Sequence, residues 1–188
     1  FLAGEIKQER LYLKIQSYFE KHNIHVIKDR KVLSIDRDNK NIFLNNQKQI
    51  EYGKLVIATG SILNKINTSC RETNLYYLRT ITDALKIKQA LKDKNKITII
   101  GAGYIGLEIA SIAVKKNINI TIIEMEDRVM SRVICPVVSD FFQKKHEAEG
   151  IKFKFNVSVV DIEDNHNQKK IKCSDGSVID TDAVVIGV

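Results

Sequence analysis

The sequence is poor in the residues that build small cross-linked or fibrous scaffolds. Its 188 residues contain one proline and three cysteines, and no tryptophan. A single proline excludes collagen-like and proline-rich chains. The cysteines, Cys70, Cys135 and Cys173, lie far apart, so the sequence contains no CxxC pair that could bind zinc or form a redox-active disulfide. Three cysteines are also too few for a disulfide framework. We therefore expect a reducing compartment, the cytoplasm, and no bound metal ion.

Long apolar runs are also scarce. The longest, residues 97–114, is interrupted by three glycines and by Glu108, so no membrane span is expected. Residues 1–20 contain no uninterrupted apolar core, so no signal peptide is visible. The chain begins at Phe1 rather than Met and stops inside an apolar run, and we expect it to be a piece of a longer protein.

The charge is basic but dispersed. Lysine and arginine number 30 against 23 aspartates and glutamates, a formal net charge of +7. The lysines are scattered and are not interleaved with aromatic residues, so nucleic acid is not an expected partner. An acidic partner is the functional interpretation of this charge.

Hydrophobic periodicity predicts an α/β protein. Helices are expected at residues 16–22, from an N-cap at Thr82 or Asp83 to about residue 93, at 104–116 and at 136–149. Strands are expected at 24–28, 31–36, 42–44, 47–51, 54–59, 96–100, 119–124, 151–155, 158–163, 169–173 and 183–187. The run at 54–59 is continuously apolar, as in a strand buried on both faces. Residues 61–75 are polar and irregular, and are the best linker candidate.

The clearest block is a strand–helix–strand unit that contains the motif GxGxxG at positions 101–106, GAGYIG. Gly101 permits the tight turn after the strand, Gly103 lets a pyrophosphate approach the backbone, and Gly106 lets the helix pack closely. The helix that begins at Tyr104 and Ile105 directs free N–H groups toward the phosphates. The motif therefore predicts dinucleotide binding, although the glycines could instead serve only as a tight turn.

An acidic residue follows at the expected distance. Glu124 ends the second strand of this unit, where a carboxylate accepts hydrogen bonds from a ribose 2′-hydroxyl and repels a 2′-phosphate. We therefore predict NADH in preference to NADPH. Arg128 and Arg132 lie close enough in sequence to complicate this prediction, and a solvated strand end is the alternative for Glu124.

Glu108 and the histidines allow more than one interpretation. Glu108 lies in the first turns of the helix after the glycine loop, where the helix dipole favours a carboxylate. It is equally compatible with a group near the nicotinamide. His22 and His25 have HxxH spacing, but no third metal ligand is evident, so we interpret them as surface residues.

Several further motifs resemble one family. They are LVIATG at 55–60, YLRT at 77–80, GAGYIGLE at 101–108, the series Arg128-Val129, Arg132-Val133, Pro136-Val137-Val138-Ser139, Phe141, His146 and Gly150, and Asp175-Gly176, Asp182 and Val185-Ile186-Gly187. Together they resemble the ferredoxin reductases of the putidaredoxin and rubredoxin reductase type. These enzymes belong to the FAD-dependent pyridine nucleotide-disulfide oxidoreductase superfamily.

The resemblance implies a Rossmann-like FAD/NAD(P)-binding fold with a β-meander, in which an NAD domain is inserted into an FAD domain. Residues 1–74 would be the middle portion of the FAD-binding domain, and residues 75–188 the NAD-binding domain. The implied reaction is hydride transfer from NADH to FAD, followed by single-electron transfer to a ferredoxin or rubredoxin. These partners are generally acidic, and complementary charge speeds encounter.

Site residues follow from the same resemblance. Glu108 would be the catalytic residue that faces the nicotinamide, and Gly187 would lie beside it. On the flavin side, the implied cofactor contacts are Val32 near the FAD adenine, Thr59 and Gly60 along the flavin, and Arg79.

The chain departs from a complete member in having one GxGxxG motif rather than two. We therefore expect this chain alone to be inactive and to hold FAD weakly. Two alternatives stay open: a disulfide, peroxide or NADH oxidase-type flavoprotein of the same superfamily, and a non-enzymatic NADH-responsive module that resembles the apoptosis-inducing flavoproteins. The sequence does not indicate an oligomeric state.

Overall fold

The computed structural model describes residues 1–187, and their contacts define two compact units. One unit comprises Lys7–Ile62, and the other comprises Phe1–Ile6 together with the chain from Leu63 onward. These units are defined by packing. The assignment of residues 1–74 to FAD and 75–188 to NAD concerns cofactors and stays a prediction.

The smaller unit contains a short antiparallel sheet. Its elements are a 3-10 helix (Gln8–Leu11), α1 (Gln16–Lys21), β1 (Val32–Asp36), β2 (Asn41–Leu44) and β3 (Gln49–Glu51). The strands are arranged in the order β1-β2-β3. Asp36 accepts backbone hydrogen bonds from Asp38 and Asn39 and so closes the first turn. The predicted helix at 16–22 and the three predicted strands between 31 and 51 are confirmed within a few residues.

Two predicted strands in this unit are wrong. Residues 24–28 and 54–59 have no regular structure. In the second segment, Leu55, Val56 and Ile57 are 37%, 85% and 67% exposed, although their sequence is that of a buried strand. A buried strand needs hydrogen-bonding neighbours on both sides. Within the described residues, the small sheet is complete without this segment and offers it no such place.

The larger unit alternates strands and helices, continues into a meander and ends with a strand that returns to the parallel sheet. Its elements are β4 (Leu75–Tyr77), α2 (Ile81–Asp93), β5 (Lys96–Ile100), α3 (Tyr104–Val114), β6 (Asn119–Ile123), α4 (Pro136–Ala148), β7 (Lys152–Lys154), β8 (Val159–Asn165), β9 (Gln168–Cys173), β10 (Val178–Thr181) and β11 (Ala183–Ile186). Five strands form a parallel sheet in the order β4-β11-β5-β6-β7. Strands β8, β9 and β10 form an antiparallel meander. The predicted α/β class is therefore confirmed, whereas β4 and β10 were not predicted.

Short-range chemistry sets the helix ends. Thr80 accepts a hydrogen bond from the Asp83 N–H, and the Asp83 carboxylate accepts one from the Thr80 N–H, which makes a capping box. Helix α2 therefore begins at Ile81, and its N-cap is Thr80 rather than Thr82 or Asp83, where the cap was predicted. Helix α4 begins at Pro136, where proline costs no hydrogen bond, and Gly150 follows its end with φ +91°.

The core lies on both faces of the parallel sheet. Ile97 and Ile99 of β5 face one hydrophobic cluster, and Ile100 faces the other together with Val184 and Ile186 of β11. Strands buried on both faces require near-continuous apolar sequence, which β5 and β11 have. Helix α3 packs against β5 and β6 and completes the strand–helix–strand unit.

The predicted linker at 61–75 is not a free connection. The Thr68 hydroxyl donates to the Ile162 carbonyl at 2.7 Å, and the Arg71 N–H donates to the Asp164 carboxylate at 3.0 Å. The segment is therefore fastened along β8, because its polar side chains and backbone groups find partners on that strand.

Candidate functional site

The glycine loop lies between β5 and α3, at the carboxyl end of the parallel sheet. Gly101 has φ +98°, a conformation that favours glycine, and its N–H donates to the Ile123 carbonyl at 2.8 Å. Gly103 is the N-cap of α3 and supplies no side-chain cap. The first N–H groups of a helix have no intrahelical partner, so this loop presents donors and a positive dipole end at one place.

The two later glycines of the motif meet different surroundings. A Cβ added at Gly106 would overlap the Gly101 carbonyl oxygen and come within 3.2 Å of the Ile99 Cγ2 atom. A Cβ at Gly103 would meet only the Gly187 carbonyl oxygen, at 3.9 Å. Gly106 is therefore required by the packing of α3 on β5. Gly103 faces space that the described residues leave open, as the approach of a ligand to the backbone requires.

Gly187 lies against the same loop. A Cβ built on it would come within 3.3 Å of the Gly106 nitrogen, and its own N–H donates to the Ile100 carbonyl at 2.8 Å. The structure therefore brings Gly187, from the end of β11, to the glycine motif from the end of β5. This proximity follows from the parallel pairing of the two strands.

Glu124 reaches the glycine loop directly. Its Oε2 atom accepts a hydrogen bond from the Ala102 N–H at 2.6 Å, and its Oε1 atom accepts one from the Glu126 N–H at 3.0 Å. The Glu124 N–H donates to the Lys154 carbonyl at 2.9 Å, which extends the pairing of β6 with β7 by one residue. The carboxylate is thus half-buried and oriented, and is not a freely solvated strand end.

A cavity of about 330 Å³ opens beside this carboxylate. It is lined by Gly103, Tyr104, Glu124, Met130, Ser131, Arg132 and Val133. The two arginines that complicated the sequence interpretation differ here. The Arg128 guanidinium donates to the Asp127 carboxylate and to the Ser131 carbonyl, whereas Arg132 lines the cavity.

The loop after β6 is tied to the glycine motif, a feature that sequence reasoning missed. The Met130 N–H donates to the Ala102 carbonyl at 3.0 Å. The buried Ser139 hydroxyl donates to the Val129 carbonyl at 2.6 Å. Ser139 was noted only as part of a motif. Its burial on the first turns of α4 gives the reason for a small hydroxyl residue at that position.

Glu108 lies on the exposed side of α3. It lines a groove of about 540 Å³ between α3 and α4, whose other lining residues are Tyr104, Leu107, Ser111, Ile112, Met130, Phe142, Lys145 and His146. Tyr104 and Met130 line both this groove and the cavity beside Glu124. Ile105 is also exposed at the start of the helix. Glu108 and Glu124 therefore face neighbouring but separate spaces.

The residues proposed for FAD are divided between the two units. Val32 lies on β1 and is half-exposed, and Thr59 and Gly60 lie in the exposed segment without regular structure. Gly60 has φ +74°. Arg79 belongs to the larger unit, and its N–H donates to the Asp83 carboxylate at 3.2 Å. Neither unit by itself contains all four of these residues. Their roles in binding FAD stay predictions.

Comparison with known proteins supports the family that the motifs resemble. Residues 3–188 match the model of the family described as pyridine nucleotide-disulphide oxidoreductase. The whole chain is 32% identical to putidaredoxin reductase and 30% identical to rubredoxin-NAD(+) reductase, both from Pseudomonas putida, and covers 46% and 49% of these proteins. The chain thus spans about half the length of the curated relatives it matches.

Solved structures agree with this result. A ferredoxin reductase from Rhodopseudomonas palustris superposes with a TM-score of 0.90 at 31% identity, over 100% of this chain and 46% of that one. A water-forming NADH oxidase from Lactobacillus brevis superposes with a TM-score of 0.83 at 26% identity, over 99% and 43%. Among residues 1–187, no helix has the length and apolar character needed to cross a membrane.

Proposed function

Because the chain belongs to the pyridine nucleotide-disulphide oxidoreductase family, whose members are flavoprotein oxidoreductases, we propose that it is the NADH-binding core of a ferredoxin or rubredoxin reductase. In this proposal residues 75–188 bind NADH, and residues 1–74 form part of the FAD domain. Bound NADH supplies a hydride to FAD, and single electrons then pass to an acidic iron–sulfur protein. Ferredoxin and rubredoxin reductases among its relatives support this choice of partner.

The observation that carries the proposal is the hydrogen bond from the Ala102 N–H to the Glu124 carboxylate. It holds an acceptor at the tip of β6, beside an open glycine loop. A carboxylate in this position accepts hydrogen bonds from ribose hydroxyls, whereas a 2′-phosphate would bring negative charge toward it. The space in front of Gly103 suits the pyrophosphate, and the first N–H groups of α3 would hold it.

The chain's own residues would orient the nucleotide rather than perform the chemistry. Glu124 would fix the adenosine ribose, and the glycine loop the phosphates. Gly187, with no side chain to obstruct the site, would let the nicotinamide half approach the end of β11. The roles of Glu124, the glycine loop and Gly187 follow the order in which β6, β5 and β11 lie in the sheet. The role of Glu108 on the nicotinamide side rests on the family resemblance, since Glu108 itself lines the groove between α3 and α4.

The first test is calorimetric titration of this chain with NADH and NADPH. We expect NADH to bind at least about tenfold more tightly, a difference of about 1.4 kcal/mol. Glu124→Ala should abolish most of this preference, since the repulsion of the 2′-phosphate is removed. Glu126→Ala is the matched control, because that neighbouring carboxylate is exposed and only its N–H contacts Glu124.

Two outcomes would contradict the proposal. Equal affinity of the wild-type chain for NADH and NADPH would refute the role of Glu124. No binding of either nucleotide by the folded chain and by the full-length protein would refute the role of the glycine loop.

The electron acceptor needs a separate experiment, because an NADH oxidase is the second candidate. The Lactobacillus brevis oxidase shares this fold at 26% identity. The full-length flavoprotein should oxidise NADH fastest with a ferredoxin or rubredoxin as acceptor. Faster oxidation with dioxygen, a peroxide or a disulfide would favour the other enzymes of the family. Slow turnover with every acceptor, combined with NADH-dependent dimerisation, would favour a non-enzymatic module.

A further inference from the structure

A lysine is buried in the meander, away from the nucleotide cavity. Lys169 of β9 is 1% exposed, and it is the largest fully buried side chain among the described residues. Burying an ammonium group without partners is strongly unfavourable, so its contacts should explain why it is tolerated there. Neither the glycine motif nor the proposed cofactor contacts account for it.

We define residues 63–74 as the connecting segment. The contacts of Lys169 converge on one residue of this segment, Arg71. The Nζ atom donates to the Asp164 Oδ1 atom at 2.5 Å and to the Arg71 carbonyl at 2.8 Å. The other oxygen of Asp164 accepts the Arg71 N–H at 3.0 Å. The pair therefore holds both backbone polar groups of Arg71, one with each partner, and we name this arrangement the Arg71 clamp.

Neighbouring contacts extend the clamp along the segment. Thr68 donates to the Ile162 carbonyl, the Ser69 hydroxyl donates to the Asp161 carboxylate at 3.1 Å, and the Asn74 amide donates to the Asn167 carbonyl at 3.3 Å. The Ser69 and Asn74 bonds lie at the surface and should open readily, whereas the Thr68 bond is partly buried. The Lys169 ammonium is the buried point of attachment, where water does not compete.

The position of the segment links the clamp to a proposed flavin contact. Leu63 is where the chain enters the larger unit, three residues after Gly60. At its other end the segment leads into β4, which is followed by Arg79. Arg79 is one of the four residues assigned above to FAD. The clamp thus fixes the stretch that leads into β4 and this proposed flavin contact.

We propose that Lys169, acting with Asp164 through the Arg71 clamp, is a positioning residue for hydride transfer. It holds the connecting segment on the meander of the nucleotide-binding unit, so that β4 and Arg79, the proposed flavin contact that follows it in the same unit, keep a fixed place. This inference rests on the proposed function. Hydride transfer requires the reacting atoms in near-attack geometry, and a misplacement of about 1 Å can cost on the order of 10²-fold in rate.

The test uses Lys169→Met in the full-length flavoprotein, because methionine fills the buried volume but donates no hydrogen bond. Lys172→Met is the matched control, since Lys172 lies on the same strand and pairs with Glu163 at the surface. Stopped-flow absorbance follows flavin reduction by NADH, and titration gives the affinity for NAD⁺. We expect Lys169→Met to slow flavin reduction at least about tenfold, with NAD⁺ affinity within about twofold of wild type. Lys172→Met should change neither.

Two further measurements keep the inference falsifiable. Lys169→Arg should restore part of the rate, because a guanidinium can donate to the same acceptors. Asp164→Asn, a change at a partly exposed side chain, tests the clamp if Lys169→Met does not fold, and it should slow flavin reduction in the same direction. Hydrogen exchange should show faster exchange at residues 68–74 in both slow variants.

The outcomes separate this inference from the proposed function. A wild-type flavin that NADH does not reduce would refute the proposed function. Normal reduction in wild type, with Lys169→Met within about twofold of Lys172→Met, would refute the positioning role alone. Loss of NAD⁺ affinity in proportion to the rate would also refute it, because the defect would then lie in binding.

Discussion

Substitution of Gly106 by alanine tests the geometry of the glycine loop most directly. The added Cβ would overlap the Gly101 carbonyl oxygen and would come within 3.3 Å of the Gly101 carbonyl carbon and 3.2 Å of the Ile99 Cγ2 atom. Two of these three atoms are backbone, which cannot rotate away as the end of a flexible side chain can. Helix α3 must therefore move from β5, or the turn must change shape.

The expected cost can be estimated from two opposing effects. Overpacking of a well-packed core costs about 1–3 kcal/mol, and a backbone obstacle places this case at the upper end. Alanine is favoured over glycine within a helix by about 1 kcal/mol, which offsets part of that cost. We therefore expect Gly106→Ala to lower the free energy of unfolding by about 2 kcal/mol. In a chain of this size, the melting temperature should fall by about 6 °C.

Gly103→Ala is the matched control, three residues earlier in the same motif. Its Cβ would meet only the Gly187 carbonyl oxygen, at 3.9 Å, and its φ of −79° suits alanine. Its free energy of unfolding should fall by no more than about 1 kcal/mol, which is the preference for glycine over alanine at a helix N-cap. Its NADH affinity should nevertheless fall at least about tenfold, since the methyl group occupies the space assigned to the pyrophosphate.

Urea denaturation followed by circular dichroism, and calorimetric titration with NADH, measure the two properties separately. The reasoning predicts a crossed pattern, with stability lost at position 106 and binding lost at position 103. A Gly106→Ala protein as stable as wild type would show that the close approach of α3 to the loop is wrong. Wild-type NADH affinity in Gly103→Ala would show that no ligand passes close to that backbone.

Two further predictions concern stability. The buried Thr98 hydroxyl has no hydrogen-bond partner within residues 1–187. Because a buried polar group without a partner is unfavourable, Thr98→Val should raise the free energy of unfolding by about 1 kcal/mol, as measured by urea denaturation. A destabilised variant would indicate that the hydroxyl has a bound partner such as water. Partial burial raises the pKa of Asp182, but hydrogen bonds from Gln168, Asn95 and Lys96 outweigh it and hold the pKa below 3.8. Because the folded-state pKa is lowered, this stabilisation is complete above the ordinary pKa and is lost as the pH falls through the folded value. Asp182→Asn should therefore lower the free energy of unfolding by about 1 kcal/mol near neutral pH, and this difference from wild type should shrink below about pH 4. A difference in the free energy of unfolding that does not change with pH would contradict this prediction.

Local sequence was sufficient for the strand–helix–strand unit. The apolar run of β5, the glycine motif and the start of α3 are adjacent in the chain, and each can be recognised from a pattern of a few residues, although β5 also pairs with β6 and β11. The same is true of the turn at Asp36. The N-cap of α2 was predicted two or three residues too late, because Thr80 is the cap and the capping box places Asp83 at the third helical position.

The sequence by itself therefore determined the α/β class, the glycine loop and Glu124 as its acidic neighbour, because short-range periodicity and backbone conformation encode them. Only the tertiary structure decided which groups meet. Residues 54–59 have the composition of a buried strand but no strand beside them, since burial depends on neighbours and not on composition. Lys169 and Arg71 are 98 residues apart, and no local pattern predicts that the ammonium of one holds the carbonyl of the other. Such contacts arise only when the meander and the connecting segment pack together, because a hydrogen bond depends on distance in space and not on separation along the chain.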